Sequence, residues 1–343
     1  MTVRPRVLVC GWSGAGNLGD ELLTEVVVDR LRDAGLAPVV RSVAPELTVA
    51  AHPGVEVAGR GLASIRSALS VDAVVLGPGG IVQDHTSVWS LPAHLVPALI
   101  ARLRRRPVVG LGLGADPLRR RLSRVLVRLA LRGSPVVVRD ELSAGAMRGA
   151  GVDAEIDLDL AWELGHPEPV AGLGLTVAIG PVAGSGAWRP GRRRLVPDDP
   201  APVIAAIERL HDEVGGPVRL VAFRGARDEE FARRLAGKLT AAELVPADRA
   251  VDAVRGAAAV LTSRYHAALV AVAAGVPVLA DVRQAKLAAL AATEELTAHV
   301  RGFDSWAGIG SPPTAAGAAS RSSTGATDAA VARLAQACRL GPA

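Results

Sequence analysis

Short apolar runs of four or five residues, rich in Val and Leu, recur along the chain and alternate with longer stretches whose apolar positions fall three and four residues apart. The first kind of segment predicts strands and the second amphipathic helices. In the first half strands are expected at Arg6–Cys10, Pro38–Arg41, Asp72–Leu76, Pro107–Leu111 and Pro135–Val138. A second series is expected at Leu175–Ile179, Val218–Ala222, Glu243–Val245, Ala258–Thr262 and Pro277–Ala280. Strands separated by helices make parallel βαβ units, so the pattern predicts an α/β fold of two doubly wound, Rossmann-like domains facing a central cleft. The domains are expected over 1–165 and 172–305, divided where Gly165, Pro167 and Pro169 interrupt the periodicity. Residues 308–327, rich in Ser, Ala, Gly and Pro, read as a flexible linker before a C-terminal helix and tail over 328–343.

Charge and composition narrow the function classes. The 343 residues carry 39 Lys and Arg against 34 Asp and Glu, a formal charge of only +5, which is no nucleic-acid footprint. Cys10 and Cys338 are too few for a disulfide framework or a metal-ligand cluster, and a reducing, cytoplasmic setting is expected. The segment Met1–Cys10 fits a first strand better than a secretory leader, and the uncharged stretch Pro169–Trp188 is too broken by Gly and Pro for a membrane helix. The expectation is a soluble or peripheral protein at the inner face of the membrane.

Candidate chemistry gathers after the strands. After the first, Gly14, Gly16 and Gly19 satisfy G-x-G-x-x-G, which opens an NADP-type dinucleotide reading with Arg41 ending the second strand. Asp20 and Glu21 oppose it, since carboxylates in the first turn of a helix would repel a pyrophosphate there. A loop carrying Asn17 and Asp20 suits sugar hydroxyls instead. After the third strand comes Gly77-Pro78-Gly79-Gly80, with Asp84 as a polar contact or a helix cap. After the fifth, Asp140 reads as an N-cap with Ser143 three residues on, and Arg139 either pairs with Asp157 or Asp159 or faces an anion. The strongest catalytic candidates follow Ala258–Thr262: Ser263, Arg264 and His266 at a helix start, where a guanidinium and helix amides can hold an anion and an imidazole can move a proton near neutral pH. Between Pro117 and Leu129 one helical stripe carries Leu118, Leu122, Val125, Leu126 and Leu129, and another Arg120, Arg124 and Arg128. With Arg102, Arg104, Arg105 and Arg106 nearby, this reads either as a crossover helix with a solvated face or as a peripheral contact with an anionic membrane.

Taken in order, Gly14-x-Gly16-Asn17-x-Gly19-Asp20-Glu21, Gly79-Gly80 with Gln83-Asp84, Gly110-x-Gly112-x-Gly114, Val138-Arg139-Asp140-Glu141-x-Ser143 and Arg264-x-His266-Ala267 with Gly275-Val276-Pro277 resemble the polysaccharide pyruvyl transferase family, particularly its bacterial cell-wall branch. The resemblance spans roughly Val7 to Lys286. It implies a fold similar to GT-B glycosyltransferases and transfer of the pyruvyl group of phosphoenolpyruvate to two hydroxyls of one sugar as a cyclic ketal, with release of phosphate. It implies no cofactor beyond this donor substrate, and a glycan acceptor, lipid-linked or polymeric, with no nucleic acid. On this reading the C-terminal domain is the donor side, with Arg264, Lys286, Arg139 and Ser263 binding the donor and His266 and Arg264 catalytic. The N-terminal domain is the acceptor side, with Gly14, Gly16, Asn17, Asp20, Glu21, Gly79, Gly80 and Asp84 at the acceptor. Pro78 displaces the first glycine of the family's triple-glycine loop, and the segment 281–286 lacks the family's tyrosine. The rival readings are a nucleotide-sugar glycosyltransferase, an NADP-dependent oxidoreductase and a non-catalytic sugar- or phosphate-binding protein.

Overall fold

The computed structural model describes residues 4–85, 87, 89–165, 174–180, 200–240, 242–282, 285–292, 298–300 and 323–340. The chain divides into two compact units, Met1–Leu160 with Arg321–Ala343, and Ala161–Ser320.

In the first unit the elements run β1 (Arg6–Ser13), α1 (Leu18–Asp33), β2 (Ala37–Ser42), α2 (Pro45–Ala51), β3 (Glu56–Ala58), α3 (Leu62–Ser70), β4 (Ala73–Leu76), β5 (Gly79–Val82), α4 (Ser90–Leu103), β6 (Val108–Ala115), α5 (Arg121–Leu131), β7 (Val136–Val138), α6 (Glu141–Gly149) and β8 (Glu155–Ile156). The parallel sheet has the order β3-β2-β1-β4-β6-β7-β8, with β5 pairing beside β6. Val7, Leu8, Val9 and Cys10 of β1 and Ala73–Leu76 of β4 are wholly buried, as expected of central strands covered on both faces. Helix α1 opens with Asp20 and Glu21 and closes with Arg30 and Arg32, charges that complement its dipole at both ends.

The second unit contains β9 (Leu175–Ala178), α7 (Ala201–Val214), β10 (Val218–Val221), α8 (Gly225–Ala236), β11 (Ala242–Val245), α9 (Ala250–Arg255), β12 (Ala259–Thr262), α10 (Tyr265–Ala273), β13 (Val278–Asp281), α11 (Ala285–Ala292) and β14 (Ala298–Val300). Its parallel sheet has the order β11-β10-β9-β12-β13-β14. Each sheet therefore grows outward from its first strand in one direction and then, at β1/β4 and at β9/β12, reverses. Such a reversal leaves room beyond the carboxyl ends of the two central strands, because their connections leave toward opposite faces.

All ten expected strands are present, and four short ones were not foreseen: β3, β5, β8 and β14. These run two to four residues, and β3 and β8 sit at or beside a sheet edge where half-exposed side chains leave no apolar run to read. The segment 166–173, within the expected interdomain break, lies outside the described residues, as do 308–322 of the expected linker. The remainder of that linker is firmly tied. Asp157 accepts hydrogen bonds from Ser323 Oγ (2.8 Å), Thr324 N (2.9 Å) and Thr327 N (2.9 Å). Helix α12 (Ala326–Leu340) then buries Ala330, Val331, Leu334 and Ala335 on the first unit, against β6 and β7, so the chain's last element completes its first domain.

Burial alone would raise the Asp157 carboxyl, but the Thr327 and Leu158 amides and the Ser323 and Thr327 hydroxyls bring it down to about 2. A carboxylate held below its unfolded value stabilises the fold above pH ~4 and loses that contribution as pH falls toward its folded value. Protection of the α12 amides against hydrogen exchange should therefore fall between about pH 4 and pH 2. Asp157→Ala should weaken docking of α12 by ~1–3 kcal/mol at neutral pH, the usual range for hydrogen bonds to a charged group.

Candidate functional site

In the first unit the glycine loop lies at the carboxyl end of β1. Gly14 and Gly16 have positive φ (76° and 68°), and a Cβ on Gly14 would overlap Ser42 Oγ and crowd Ala44 N. Glu21 Oε1 accepts the Gly14 amide (2.6 Å), while its Oε2 lies 3.4 Å from His52 Nε2. Glu21 is thus a clasp for the loop, a correction to its expected place at the acceptor. With Asp20 and Glu21 both in the first turn of α1, the helix end where a dinucleotide would set its pyrophosphate carries two carboxylates, which weighs against the NADP reading. Asn17 is the N-cap residue of α1, and its side-chain amide donates to Asp20 Oδ2. Asp20 is 8% exposed, and its Oδ1 lies 2.9 Å from where a Cβ of Gly79 would stand. The loops after β1 and β4 therefore meet at the sheet's reversal, with Asn17, Asp20, Gly79 and exposed Gly80 together.

Two expected site residues are used elsewhere. Asp84 accepts from the amides of Arg119 (3.1 Å) and Arg120 (2.8 Å), while its carbonyl accepts from Arg120 Nη1 (2.7 Å). Burial opposes its charge, yet these amides, Ser123 and the Arg120 cation hold its pKa below the ordinary carboxylate value. Asp84 fixes the entry to α5, not an acceptor. Arg139 lies with its Nε 3.2 Å from Asp140 and its Nη1 3.4 Å from Asp159, its side chain only 3% exposed. The structure gives it the ion-pairing role, because a buried guanidinium held by two carboxylates answers its charge within the protein. Asp140 caps α6 through the Ser143 amide (2.7 Å).

A cluster not foreseen lies at the same end of the sheet. Arg41 on β2 is 4% exposed, and its Nη1 donates to His94 Nδ1 (3.1 Å); arginine has no acceptor, so His94 must accept there. Burial, then the charges of Arg41 and Arg60, push His94 down to about 3, so it is neutral with its proton on Nε2. The Arg60 guanidinium lies over the Trp12 ring at 5.5 Å, and the Trp12 and His94 rings lie 5.0 Å apart. Arg41 itself is lowered, by burial first and by Arg60 in addition, with the Cys10 thiol opposing. Among the described residues Arg41 and Arg60 have no carboxylate in ion-pair contact. Arg41 alone was noted in the sequence; the grouping needs residues from β1, β2, the loop after β3 and α4, and has no local signal.

In the second unit the segment Thr262–Arg264 is bound to the end of β9. Thr262 Oγ1 bonds the Ala178 carbonyl (2.8 Å) and accepts the Arg264 amide (2.8 Å). Ser263 is fully buried, and its Oγ lies 3.1 Å from both the amide and the carbonyl of Gly180, so its hydroxyl serves this junction, not the donor. Arg264, the N-cap residue of α10, presents Nε and Nη2 to Asp228 of α8 at 2.7 and 2.5 Å. Asp228 is 1% exposed. No sequence signal announced it, since it stands 36 residues away on another helix. At the start of α10 the rings of Tyr265 and the candidate His266 meet edge to face at 5.3 Å, and the candidate Lys286, on α11, has its Nζ 6.0 Å from the Tyr265 ring centre. Thus Arg264 and His266, which follow β12, are joined by Lys286, which follows β13, at the Tyr265 ring between them. Among the described residues no group of three or more His, Cys, Asp or Glu is arranged to hold a metal ion.

The family model for polysaccharide pyruvyl transferase matches residues 17–280. No curated protein sequence is similar enough to count as a relative. Among solved structures, the UDP-GlcNAc 2-epimerase of Methanocaldococcus jannaschii aligns at TM-score 0.56 and 10% identity, over 98% of this chain and 99% of its own. A putative UDP-N-acetylglucosamine 2-epimerase from Listeria monocytogenes aligns at 0.56 and 12%, over 98% and 91%. CalG4, the calicheamicin glycosyltransferase, aligns at 0.50 and 15%, over 99% and 96%. These likenesses concern the fold: two Rossmann-like domains of the GT-B type.

A Cβ on Gly180 would overlap both Asp228 Oδ1 and Arg264 Nη2, so the ion pair requires glycine there. Gly180→Ala should cost ~1–3 kcal/mol by overpacking. Asp228→Ala should cost about 3–5 kcal/mol by leaving a buried cation without its carboxylate. Urea unfolding midpoints of the two variants check both figures.

Proposed function

The chain belongs to the polysaccharide pyruvyl transferase family, and from that premise we propose that it moves the pyruvyl group of phosphoenolpyruvate onto two hydroxyls of one sugar in a cell-wall or exopolysaccharide glycan, forming a cyclic ketal and releasing phosphate. The observation that carries this reading is the grouping of His266 and Lys286 about the Tyr265 ring, beside the Arg264–Asp228 pair at the start of α10. Phosphoenolpyruvate brings a carboxylate and a phosphate. Asp228 orients the Arg264 guanidinium through its Nε and Nη2 edge, and Lys286 with the amino end of α10 adds positive potential where an anion would dock. Arg264 is thus a positioned cation whose charge Asp228 largely balances, and Lys286 carries more of the anion's charge than the sequence suggested.

Chemistry follows from the proton count. His266 delivers a proton to the methylene carbon of the enol, positive charge develops at the neighbouring carbon, and one sugar hydroxyl bonds there as it loses its proton. Phosphate then leaves with the C–O bonding pair, and the second hydroxyl closes the ketal as its proton passes to a base. One hydroxyl proton is balanced by the new methyl group and the other by the released phosphate. A positioned acid and base of this kind contributes ~10²–10⁴-fold in rate. On the acceptor side Asn17, Asp20, Gly79 and Gly80 offer donors, acceptors and close backbone approach, and the Trp12 ring with Arg41 and Arg60 offers an aromatic, cationic floor suited to a sugar bearing phosphate.

Thermal unfolding with millimolar phosphoenolpyruvate, a UDP-sugar or NADP separates the readings, since a ligand that binds only the native state raises the midpoint by mass action. Phosphoenolpyruvate should raise it and the other two should not; a shift from the UDP-sugar alone would favour a nucleotide-sugar transferase. Lys286→Ala should lose the shift. His266→Ala should keep it while mass spectrometry of acceptor glycans shows pyruvyl ketal formation reduced ~10²–10⁴-fold.

A further inference from the structure

Helices α4 and α5 lie side by side over one face of the first unit's sheet, and their outward surface is not that of an ordinary crossover pair. From Ser87 to Ala101 the chain carries no Asp, Glu, Lys or Arg, and its one ionisable side chain, His94, is buried. Ala93, Val96 and Leu103 share the outer side of α4 with its N-cap residue Trp89, while Ile100 packs against the core. Trp89 is 79% and Leu103 86% exposed. On α5 the expected apolar stripe is divided: Leu118 and Leu126 pack against the core, but Ser123, Val127, Ala130 and Leu131 take the buried face. Leu122, Val125 and Leu129 consequently turn outward, at 67%, 50% and 57% exposure.

Cations ring this apolar surface. From His85 to Val138 the chain has ten arginines and a single acidic residue, Asp116. Arg104, Arg105, Arg121, Arg124, Arg128 and Arg132 are exposed, and none has a carboxylate in ion-pair contact among the described residues. A solvated helix face would not present three large apolar side chains one turn apart, and a charged face built for stability would pair its arginines. Two copies of this surface meeting face to face would set arginine against arginine. A surface of anionic phospholipid answers both parts: side chains such as Trp89, Leu103, Leu122 and Leu129 enter the headgroup boundary while arginines meet the negative surface. Among the described residues no helix is long and apolar enough to cross a membrane, so attachment here is to the surface. We propose that the α4–α5 face of the first unit is a peripheral docking surface for an anionic phospholipid bilayer.

Co-sedimentation with phosphatidylglycerol–phosphatidylcholine vesicles, against pure phosphatidylcholine vesicles, tests this directly. The wild-type chain should partition at least ~10-fold more strongly onto the anionic vesicles and be released as salt is raised, as interfacial electrostatics requires. The triple variants Leu122→Ser/Val125→Ser/Leu129→Ser and Arg121→Gln/Arg124→Gln/Arg128→Gln should each lose most of that partition. Both change exposed side chains, so each should keep the wild-type melting temperature and its response to phosphoenolpyruvate; those two readouts report the fold and the donor reading separately from lipid attachment. Equal sedimentation of wild type and both variants would overturn the proposal. So would absence of vesicle binding in a chain that light scattering shows to be dimeric and that the leucine–valine variant makes monomeric.

Discussion

The reversal of strand order in each parallel sheet is the constraint on which the candidate chemistry depends. At β1/β4 and β9/β12 neighbouring strands send their connections to opposite faces, so the backbone beyond their carboxyl ends is not covered by a crossover helix. The loop that leaves there must turn sharply, and whatever side chains it carries are delivered to a fixed place by buried strands. In the first unit this brings Asn17 and Asp20 to Gly79. In the second it joins Thr262, Ser263 and Arg264 to Ala178 and Gly180. Both junctions depend on glycine for the same reason: the neighbour's polar atoms occupy the space that a Cβ would need.

Much of this was legible in the sequence because strand and loop signals are local. Continuous runs such as Val7–Cys10 and Ala73–Leu76 are buried on both faces and read the same way in one dimension as in three. The loops that follow them were found for the same reason, and the Asp140–Ser143 cap lies within three residues. What was not legible is long-range pairing. Nothing near Arg264 announced Asp228, nothing near Arg41 announced His94 and Arg60, and nothing near residues 323–327 announced Asp157. The stripe on α5 misled for a related reason. Periodicity finds the apolar side of a helix, but the side that faces the sheet is the one whose shape fits, and here the small residues Ser123 and Ala130 take that place.

Ionised groups divide by a simple rule of satisfaction. Asp84, Glu21 and Arg139 each sit in an attractive sequence motif, yet each finds its partners within the fold: amides for Asp84, an amide and His52 for Glu21, two carboxylates for Arg139. A buried charge costs free energy unless it is paired and hydrogen-bonded, so partners of this kind explain a residue without any ligand. Arg41 is the contrasting case, a nearly buried guanidinium set among a neutral imidazole, a thiol pushed up to about 12 by burial, and a second guanidinium. That environment raises the cost of its own charge.

The solved structures similar in fold handle UDP-GlcNAc in their own names, and at 10–12% identity that likeness carries architecture alone. The reaction has to be argued from the side chains that the architecture holds. A nucleotide sugar needs contacts for a base, a ribose and a diphosphate. A small donor with two anionic groups on three carbons needs cations and a proton donor within a few ångströms of one another. On the proposed reading, Tyr265 and His266 at the start of α10, with Lys286 of α11 beside the Tyr265 ring and the Asp228-held Arg264 next in the chain, suit the small donor better than the nucleotide sugar. The first turn of α1 argues in the same direction, since Asp20 and Glu21 stand where a dinucleotide enzyme would set a pyrophosphate.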